Sequence, residues 1–511
     1  MTSSQIGILI AIVAYMAGII GIGVYSAKKN DTVGDFYLGG RKLGPFVTAM
    51  SAEASDMSSW LLMGLPGVAY ICGLADAFWT AVGLAIGTYV NWLIVAKRLR
   101  KYTVVAGNAI TVPDFFSNRY KDNTNILKFV SALIIIIFFV PYTASGFAAC
   151  GKLFNSLFGI DYHIAMIISA IVIVAYTTLG GFLAASTSDF IQSIVMTIAL
   201  AIVLIFGIYS VGGIQEIANS VKDFDGYIAL TKTFDVSAKT SSPYGIITIC
   251  STLAWGLGYF GMPHILLRFM AIEDPKKLTL SRRIATVWVV ISMAIAVFIG
   301  IMGYSMSDHG KLIMFTNTSE SETVIVQIAD LLSKHNGFTA ILAGIILAGI
   351  LASTMSTSDS QLLAASSSVT ENIVKDAFKL NLSTKGSIIL ARVAVIIISV
   401  IAVLLAFDPG SSVFQIVSFA WAGFGATFGP VMLFSLFWKR SNKYGAIVGM
   451  IAGGAMVFVW KFMVRPLGGI WNIYELLPAF IVACVVFVTV SLLTPAPEKE
   501  ILDEFNEAQS K

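Results

Sequence analysis

Long runs of apolar residues, separated by short polar loops, form the dominant pattern of the chain. A helix rises about 1.5 Å per residue, so about 20 apolar residues cross the hydrocarbon core of a bilayer. Thirteen windows reach spanning length, at 5–26, 45–73, 76–96, 126–156, 162–180, 186–212, 244–270, 284–306, 324–368, 389–407, 411–438, 444–464 and 471–494. The ninth is too long for one span, and we place its membrane part near 338–362, after a short extracellular helix. The pattern predicts an all-α integral membrane protein with 13 transmembrane helices.

Composition agrees with this pattern and narrows the class of protein. Of the 511 residues, 57% are hydrophobic and 12% are charged, which excludes an ordinary soluble domain. The net charge of +4 is small and spread among the loops, so we expect no nucleic-acid partner. The four cysteines lie scattered in apolar segments without a CxxC pair, so neither a disulfide framework nor a zinc site is predicted.

The charges of the loops predict the orientation of the chain. Lys and Arg concentrate in alternate loops, at Lys28, Lys29, Arg41 and Lys42, at 97–121, at 276–283, at 375–385 and at 439–443. The intervening loops, 213–243 and 307–323, are poor in Lys and carry acidic residues, Asp223 among them. Because positively charged loops stay in the cytoplasm, we expect an extracellular N-terminus and a cytoplasmic tail at 496–511.

The second window contains polar residues and helix breakers that a plain spanning helix does not need. Glu53 and Asp56 place two carboxylates at membrane depth, and Gly64, Pro66 and Gly67 follow. A charge at mid-bilayer costs at least a few kcal/mol, so such carboxylates are usually functional and face the protein interior. A helix break exposes backbone carbonyls, which suit a hard cation together with hydroxyls and a carboxylate. We therefore predict an unwound helix that binds a small cation beside a solute.

A second break at a matching position predicts an inverted repeat. The seventh window, five spans after the second, also has three glycines and a proline at mid-segment, between Trp255 and His264. Paired breaks of this kind indicate a transporter built from two inverted halves. We predict a first helix with its loop at 1–40, a ten-helix transport core at 41–438, with halves at about 41–215 and 240–438, and two peripheral helices at 439–495.

Six motifs resemble the sodium/solute symporter family, and within it the bacterial members that transport proline. In chain order they are Leu-Gly-Gly-Arg-x-Leu-Gly-Pro-Phe (38–46), Ser-Ala-x-Ala-Ser-Asp-Met-Ser-x-Trp-Leu-Leu-Met-Gly-Leu-Pro-Gly (51–67), Gly-Gly-Phe-Leu-Ala (180–184) followed by Thr187 to Asp189, the segment from Trp255 to His264, Met355 to Thr357, and Trp-Ala-Gly-Phe-Gly-Ala (421–426). The family implies thirteen helices around an inverted-repeat core like that of bacterial leucine transporters.

The resemblance also implies a function. It implies a sodium-coupled symporter that imports L-proline across the bacterial plasma membrane by alternating access. It implies no enzymatic activity and no cofactor, with Na⁺ as the co-transported ion. L-proline, Na⁺ and the lipid bilayer are the expected partners, and no obligate protein partner is evident.

The same resemblance implies a sodium site between the second and ninth spans. Its ligands are the carbonyls of Ala54 and Met57 and, from the ninth span, a carbonyl and two hydroxyls, at Ser353, Ser356 and Thr357. Spacings of three and four place these last three on one helix face. A hydroxyl stripe in a membrane helix also serves to hydrogen-bond neighbouring helices, which is the alternative interpretation.

Three further residues are implied in ion coupling, namely Asp56, Asp189 and Ser360. The sequence places Asp189 at the start of the sixth span after a run of hydroxyl residues, which is also typical of an ordinary helix start. Asp359 departs from the family, which commonly has a small hydroxyl residue there. Whether Asp189, Asp359 and Ser360 form a second sodium site stays open.

The substrate residues implied by the proline-transporting members surround the two breaks. They are Ser58, Trp60, Gly64, Tyr142, Trp255, Tyr259 and Pro263. An aromatic residue in a membrane helix is more often packing or an interface anchor, but these lie mid-span. A compact apolar pocket with few polar groups suits proline, whose ring offers no hydrogen bond. Arg41 is either part of a solvated loop or a support of the inward gate.

Other functions remain as alternatives. The same family transports other small solutes, such as other amino acids, sialic acid, pantothenate and sugars, but the implied pocket is poor in the polar groups that a carboxylated sugar needs. A transporter-like sensor would carry a soluble signalling module after the last span, where a short tail follows Thr494. The sequence shows no Ser/His pair or metal-ligand motif that would support an intramembrane enzyme. It also shows no ring of charges or carbonyl filter that would support a channel.

Overall fold

Helices make up nearly all of the protein, as the hydropathy pattern predicts. The computed structural model describes residues 2–27, 33–222, 224–380 and 382–510. Lys28, Lys29 and Asp223, whose charges enter the prediction of orientation, lie outside these residues. The described helices of the first part of the chain are α1 (Ser3–Ala27), α2 (Val33–Leu38), α3 (Pro45–Asp56), α4 (Leu65–Cys72), α5 (Leu74–Val90), α6 (Ala96–Val105), α7 (Val112–Arg119), α8 (Ile126–Phe158) and α9 (Tyr162–Val211).

The second part follows a short β-hairpin. After α10 (Ile214–Lys222), strands β1 (Lys232–Asp235) and β2 (Thr240–Pro243) pair antiparallel. The remaining helices are α11 (Ile246–Leu253), α12 (Pro263–Ala271), α13 (Leu278–Asp308), α14 (Thr318–Ser321), α15 (Val324–Ser333), α16 (Gly337–Ser367), α17 (Thr384–Leu405), α18 (Val413–Phe437), α19 (Lys443–Val459), α20 (Leu476–Leu493) and α21 (Lys499–Ser510). Short 3₁₀ or π segments continue several of them, at Trp60–Gly64, Asn91–Val95, Ala254–Phe260 and Ser368–Ala377.

Ten of the described helices are long and apolar enough to cross a membrane, or eleven if the bent pair Ile246–Phe260 and Pro263–Ala271 is one span. The predicted second and fifth spans correspond to shorter apolar helices, Trp60–Cys72 and Tyr162–Thr178, because one is broken and the other is brief. The all-α membrane fold is thereby confirmed. The count of thirteen spans stays a prediction.

The bundle has two chemically different ends. One end, which we call the hairpin end, carries the β-hairpin, α14 and α15. The opposite end, which we call the basic end, carries α6, α7 and the tail helix α21. At the basic end the side chain of Phe505 is 1% exposed, and the Arg119 guanidinium lies 5.1 Å from the centre of its ring. The tail helix is therefore docked on the bundle through its apolar face.

Helix α16 lies in the middle of the bundle, where it packs against α1, α3, α8 and α9. Its residues from Ile346 to Ser367 are all buried. Helix α3 also packs against α9, α12 and α13, so the end of α3 meets the middle of α16 deep inside the protein. Helices α19 and α20 pack on each other and on α18. The division into a core and peripheral helices stays a prediction that this packing does not test.

Candidate functional site

The first break interrupts the second apolar window between α3 and the π segment that leads into α4. Helix α3 ends at Asp56, and Met57 leaves the helix with ψ of 36°. The Asp56 carbonyl then accepts hydrogen bonds from the Ser58 amide at 2.8 Å and the Trp60 indole at 3.3 Å, and its distance to the Tyr142 hydroxyl is 3.4 Å. Side chains from outside the helix thus replace the helical donors that the break removes.

The second break lies between α11 and α12, where the chain passes through a 3₁₀ segment and bends by 45°. The Trp255 carbonyl accepts from the indole of Trp421 at 2.7 Å, and the Tyr259 carbonyl accepts from the amide of Asn91 at 3.0 Å. A Cβ on Gly258 would lie 2.0 Å from the Trp421 nitrogen, so only glycine leaves room for this contact. The glycines of the motif therefore allow close approach of α18 to the break.

All five predicted sodium ligands are buried, two of them at the end of α3 and three on α16. The Ser356 hydroxyl donates to the Ala54 carbonyl at 2.7 Å, which joins α16 directly to the end of α3. The Ser353 hydroxyl donates to Ile350 and that of Thr357 to Ser353, both within α16. A hydroxyl that donates to its own helix keeps oxygen lone pairs free to accept a cation.

The predicted substrate residues Ser58, Trp60, Gly64, Tyr142, Trp255, Tyr259 and Pro263 are also buried around the two breaks. The rings of Trp60 and Trp255 lie 6.2 Å apart, and those of Tyr259 and Trp421 lie 5.0 Å apart at 87°. The structure therefore brings aromatic rings from both breaks to one place. Separations of this size are typical of favourable ring contacts.

A cavity of about 970 Å³ extends from this aromatic group towards the hairpin end. Trp255, Phe414 and Tyr474 form its apolar inner wall, and the ring of Tyr474 stacks on that of Trp255 at 5.0 Å. The rest of the lining is mixed and includes the polar side chains of Gln415 and Lys461. Trp255 thus stands between the buried pocket residues and a space large enough for a small solute.

The Asp56 side chain faces the substrate residues rather than α16. Its Oδ2 accepts from the Tyr259 hydroxyl at 2.5 Å, and its Oδ1 has no hydrogen-bond partner among the described residues. Asp56 thus connects the two breaks, with its carbonyl at the first and its carboxylate at the second. It lies beside the predicted sodium ligands Ala54 and Met57 in the chain.

Asp189 lies inside its helix and not at the helix start that the sequence predicts. The helical segment containing it begins at Gly181, where φ of 67° marks a kink, so Asp189 lies two turns inside. Its Oδ2 accepts from the Ser51 hydroxyl at 2.7 Å and from Arg268 at 3.0 Å. The interpretation of Asp189 as an ordinary helix-starting residue is therefore wrong, because the kink at the preceding glycine begins the helix earlier.

Arg268 joins the ion-coupling residues in one buried group. Its guanidinium also donates to the Ser360 hydroxyl at 2.5 Å and to the His264 carbonyl at 2.9 Å. The Ser360 hydroxyl in turn lies 3.1 Å from Asp359 Oδ1. In this arrangement the positive charge next to Asp189 and Ser360 is supplied by Arg268. A second sodium site at Asp189, Asp359 and Ser360 stays a prediction.

Arg41 is not part of a solvated loop. Its guanidinium donates to the Met270 carbonyl at 2.6 Å and to the Ala109 carbonyl at 2.8 Å. These carbonyls belong to the end of α12 and to the loop after α6. Arg41 therefore ties the segment between α2 and α3 to the end of α12 and to the loop after α6.

Sequence reasoning missed several residues of the site. Arg268 is a charged residue inside the otherwise apolar run of α12, and the structure buries it. Its position in an apolar window was the available signal, since a charge at membrane depth needs a partner. The sequence marks Glu53 as a membrane carboxylate but does not predict its partner; it is 1% exposed and accepts from the Trp92 indole at 2.9 Å. Phe414 and Tyr474 gave no signal, because they follow short loops and resemble ordinary apolar packing residues.

Comparison with known proteins places the chain in a family. The sequence profile of the sodium:solute symporter family matches residues 36–453. The chain is 43% identical over 501 residues to a sodium/proline symporter of Haemophilus influenzae, covering 98% of this chain and 97% of that protein. It is 42% identical over 489 residues to the high-affinity proline transporter PutP of Bacillus subtilis, covering 96% and 98%.

A solved structure shares the fold. A Na⁺-coupled sialic acid symporter in a substrate-bound outward-open state superposes with a TM-score of 0.79 at 18% identity, over 96% of this chain and 99% of that one. This likeness concerns the fold alone and agrees with the predicted transporter architecture. The profile match over most of the sequence and the relatives above 40% identity give the same result. The chain belongs to the sodium:solute symporter family.

Proposed function

We propose that this protein imports L-proline together with Na⁺ across the bacterial plasma membrane, driven by the sodium gradient. The observation that carries the proposal is the contact of the Ser356 hydroxyl with the Ala54 carbonyl. This contact brings oxygen atoms, the ligands that a hard cation prefers, to the break of a span that lies next to aromatic rings. The relatives from Haemophilus influenzae and Bacillus subtilis, named as proline transporters, support the choice of solute. The family is one of transporters and not of enzymes.

We propose that Na⁺ binds to Ala54, Met57, Ser353, Ser356 and Thr357 and holds α3 against α16. Coupling requires that the ion and the solute prefer the same conformation, so that each raises the affinity of the protein for the other. The Asp56 carboxylate then connects this site to Tyr259 on the second broken span. The ion thereby fixes the geometry of the residues that bind the solute.

For the solute, we propose that the free backbone groups of the two breaks bind the charged ends of proline. Broken half-helices present amides that attract a carboxylate and carbonyls that attract an ammonium group. The ring then lies against Tyr142, Trp255 and Tyr259, and Pro263 fixes the start of α12 after the break. Solutes from outside would reach these residues through the cavity beside Trp255.

We further propose that the basic end faces the cytoplasm. The Lys and Arg side chains of α6 and of the turn at Pro275–Lys277 lie there, as the positive-inside rule requires. The N-terminus is then extracellular and the tail cytoplasmic. Arg41, Asp189 and Arg268 close the cytoplasmic side of the site in this arrangement, with the two inverted halves at about 41–215 and 240–438 rocking to open it.

Competition for binding tests the choice of solute. We would measure sodium-dependent binding of labelled proline to the purified protein, with and without excess alanine, glutamate, glucose or sialic acid. Proline should bind saturably, and the other solutes should compete poorly. The proposed pocket residues offer no partner for the added carboxylate of glutamate or sialic acid and few for the hydroxyls of glucose, and alanine lacks the ring that would contact the aromatic wall. Saturable sodium-linked binding of one of the others, with proline inert, would refute the solute and leave a sodium symporter of the same family.

Ser356→Ala and Thr357→Ala test the sodium site. Each removes one ligand oxygen, so each should raise the sodium concentration needed for half-maximal proline uptake by about tenfold or more, or about 1.4 kcal/mol. Ser366→Ala is a matched control, because its hydroxyl is buried on the same helix and donates to Leu363 within α16. Sodium-dependence curves of both variants that superimpose on that of the parent would exclude this site.

Asp189→Asn tests the group around Arg268. The variant leaves the buried guanidinium without its anionic partner, so we expect uptake to slow by about tenfold or to change its ion dependence. Equilibrium binding of proline at saturating sodium should stay close to that of the parent, because Asp189 contacts no proposed substrate residue in the described part of the chain. A loss of that equilibrium binding would show that Asp189 belongs to the substrate site.

A further inference from the structure

The tail helix α21 lies on the basic end of the bundle with one apolar face. Ile501, Phe505 and Ala508 follow at spacings of four and three, which places them on one side of the helix. All three are buried, whereas Asn506, which points away from this face, is exposed. The ring of Phe505 lies 6.1 Å from that of Tyr102 on α6, with the two planes at 77°. The tail thus continues the packing of the bundle.

Charged residues fasten the same helix. Lys121, which follows α7, forms ion pairs with Glu504 and, at 3.2 Å, with Glu500 one turn earlier on α21. The buried Arg119 guanidinium lies 5.1 Å from the centre of the Phe505 ring. Its Nε donates to a backbone carbonyl in the last turn of α18 at 3.0 Å. Helix α21 therefore covers the arginine that ties α7 to α18.

Helices α6 and α7 and the loop between them, which we call the platform, form one wall of a narrow cavity at the basic end. Ile110 and Thr111 of the platform line this cavity of about 10 Å³, and Arg268 and Ser360 line it from α12 and α16. A space of this size holds at most about one water molecule, so a solute cannot pass. Arg41 donates to a carbonyl of the same platform loop. A shift of the platform would therefore widen the way from Arg268 to the basic end.

We propose that α21 is a strap that holds the cytoplasmic side of the transporter closed. The inference rests on the proposed alternating access and adds an element that controls it. While α21 is docked, Phe505 and the ion pairs of Lys121 hold the platform against α18, and the way past Arg268 stays shut. Undocking removes these contacts, so the inward-open conformation becomes more populated.

The strap is built to release while the bundle stays folded. The side chains of Lys121 and Glu500 are 35% and 68% exposed, and ion pairs of this kind contribute little stability. Phe505 is then the main attachment of α21, because its ring fills the space between Tyr102 and Arg119. The platform keeps its own attachments to α12 and α18 when α21 leaves.

Labelling of a buried reporter in the full-length chain tests the strap. The four native cysteines would be replaced by serine, and Ser367→Cys would place a thiol in the cavity that Thr111 and Arg268 line. A maleimide reagent would be added to inside-out membrane vesicles with sodium and without proline. We expect Phe505→Ala to raise the labelling rate about tenfold, which corresponds to a shift of about 1.4 kcal/mol in the conformational equilibrium. Asn506→Ala on the exposed side of α21 is the matched control and should label like the reporter protein without it.

A charge swap covers the case in which Phe505→Ala does not fold. Lys121→Glu places a third negative charge beside Glu500 and Glu504, so it should raise the labelling rate about three- to fivefold, the scale of a partly exposed pair. Adding Glu504→Lys reverses the pair and should restore the original rate. Unchanged labelling in both Phe505→Ala and Lys121→Glu would overturn the strap, and so would a raised rate that Glu504→Lys fails to lower. Labelling does not require transport of a particular solute. A parent that takes up no proline would therefore refute the proposed function, while the labelling rates still decide the strap.

Discussion

Asp56→Asn is expected to abolish sodium-driven proline uptake while the protein still reaches the membrane. The change removes the negative charge beside the proposed sodium ligands Ala54 and Met57, and it weakens the acceptor of the Tyr259 hydroxyl. A charge-assisted hydrogen bond lost at a buried site costs about 2–3 kcal/mol, which corresponds to about 30- to 150-fold. Loss of one ion-binding charge adds to this, so uptake should fall by at least about 100-fold. Initial uptake rates in vesicles with equal amounts of protein measure the effect.

Two further variants make this prediction specific. Tyr259→Phe removes the hydrogen-bond donor and keeps the carboxylate, so it should weaken proline binding more than sodium binding. Asp308→Asn makes the same change at the exposed end of α13 and should behave like the parent. Asp56→Asn with normal sodium dependence and an unchanged rate would contradict a role of this carboxylate in coupling.

Trp255→Ala is expected to weaken proline binding by about 1–3 kcal/mol, the scale of removing an aromatic wall. Trp255 contacts the rings of Trp60, Phe414 and Tyr474 and lines the cavity that leads to the breaks. Equilibrium binding of labelled proline at saturating sodium should therefore show a Kd raised about 5- to 150-fold.

Trp288→Ala is the matched control for this loss. Trp288 lies on α13, and its indole donates to Thr197 rather than to a residue of either break. It should leave the Kd of proline unchanged. If Trp255→Ala binds proline as tightly as the parent, the ring of the solute does not lie against this side chain.

The broken spans could be predicted from sequence because their signals are local. Carboxylates, glycines and a proline within one apolar window show that the helix is interrupted, and Asp56, Trp255 and Tyr259 lie at the interruptions. The hydroxyl spacing of Ser353, Ser356 and Thr357 is likewise a property of one helix. That these residues meet Ala54 required the family resemblance, since α3 and α16 are about 300 residues apart in the chain.

Contacts between distant segments gave no such signal. Arg268 reaches Asp189 across 79 residues, and the helix that holds Asp189 begins earlier than its hydroxyl-rich neighbours indicated, because Gly181 adopts a positive φ. The hydrogen-bond partners available to Glu53 depend on how α5 and its continuation pack beside α3, which no local pattern of the sequence shows. Packing decides which face of a buried helix a polar residue occupies, and a uniformly apolar window does not reveal that face.

The number of ions moved with each proline sets how strongly the transporter can concentrate its solute. One Na⁺ entering across the membrane potential supplies about 2.3 kcal/mol per 100 mV, in addition to the energy of the sodium concentration gradient.

Uptake of labelled proline by proteoliposomes under an imposed sodium gradient, a proton gradient or no gradient tests the central claim most directly. The account predicts transient accumulation of proline above equilibrium with the sodium gradient, and only equilibration without a gradient or with protons alone. Accumulation driven by protons in the absence of sodium, or no accumulation with any gradient by correctly folded protein, would contradict it.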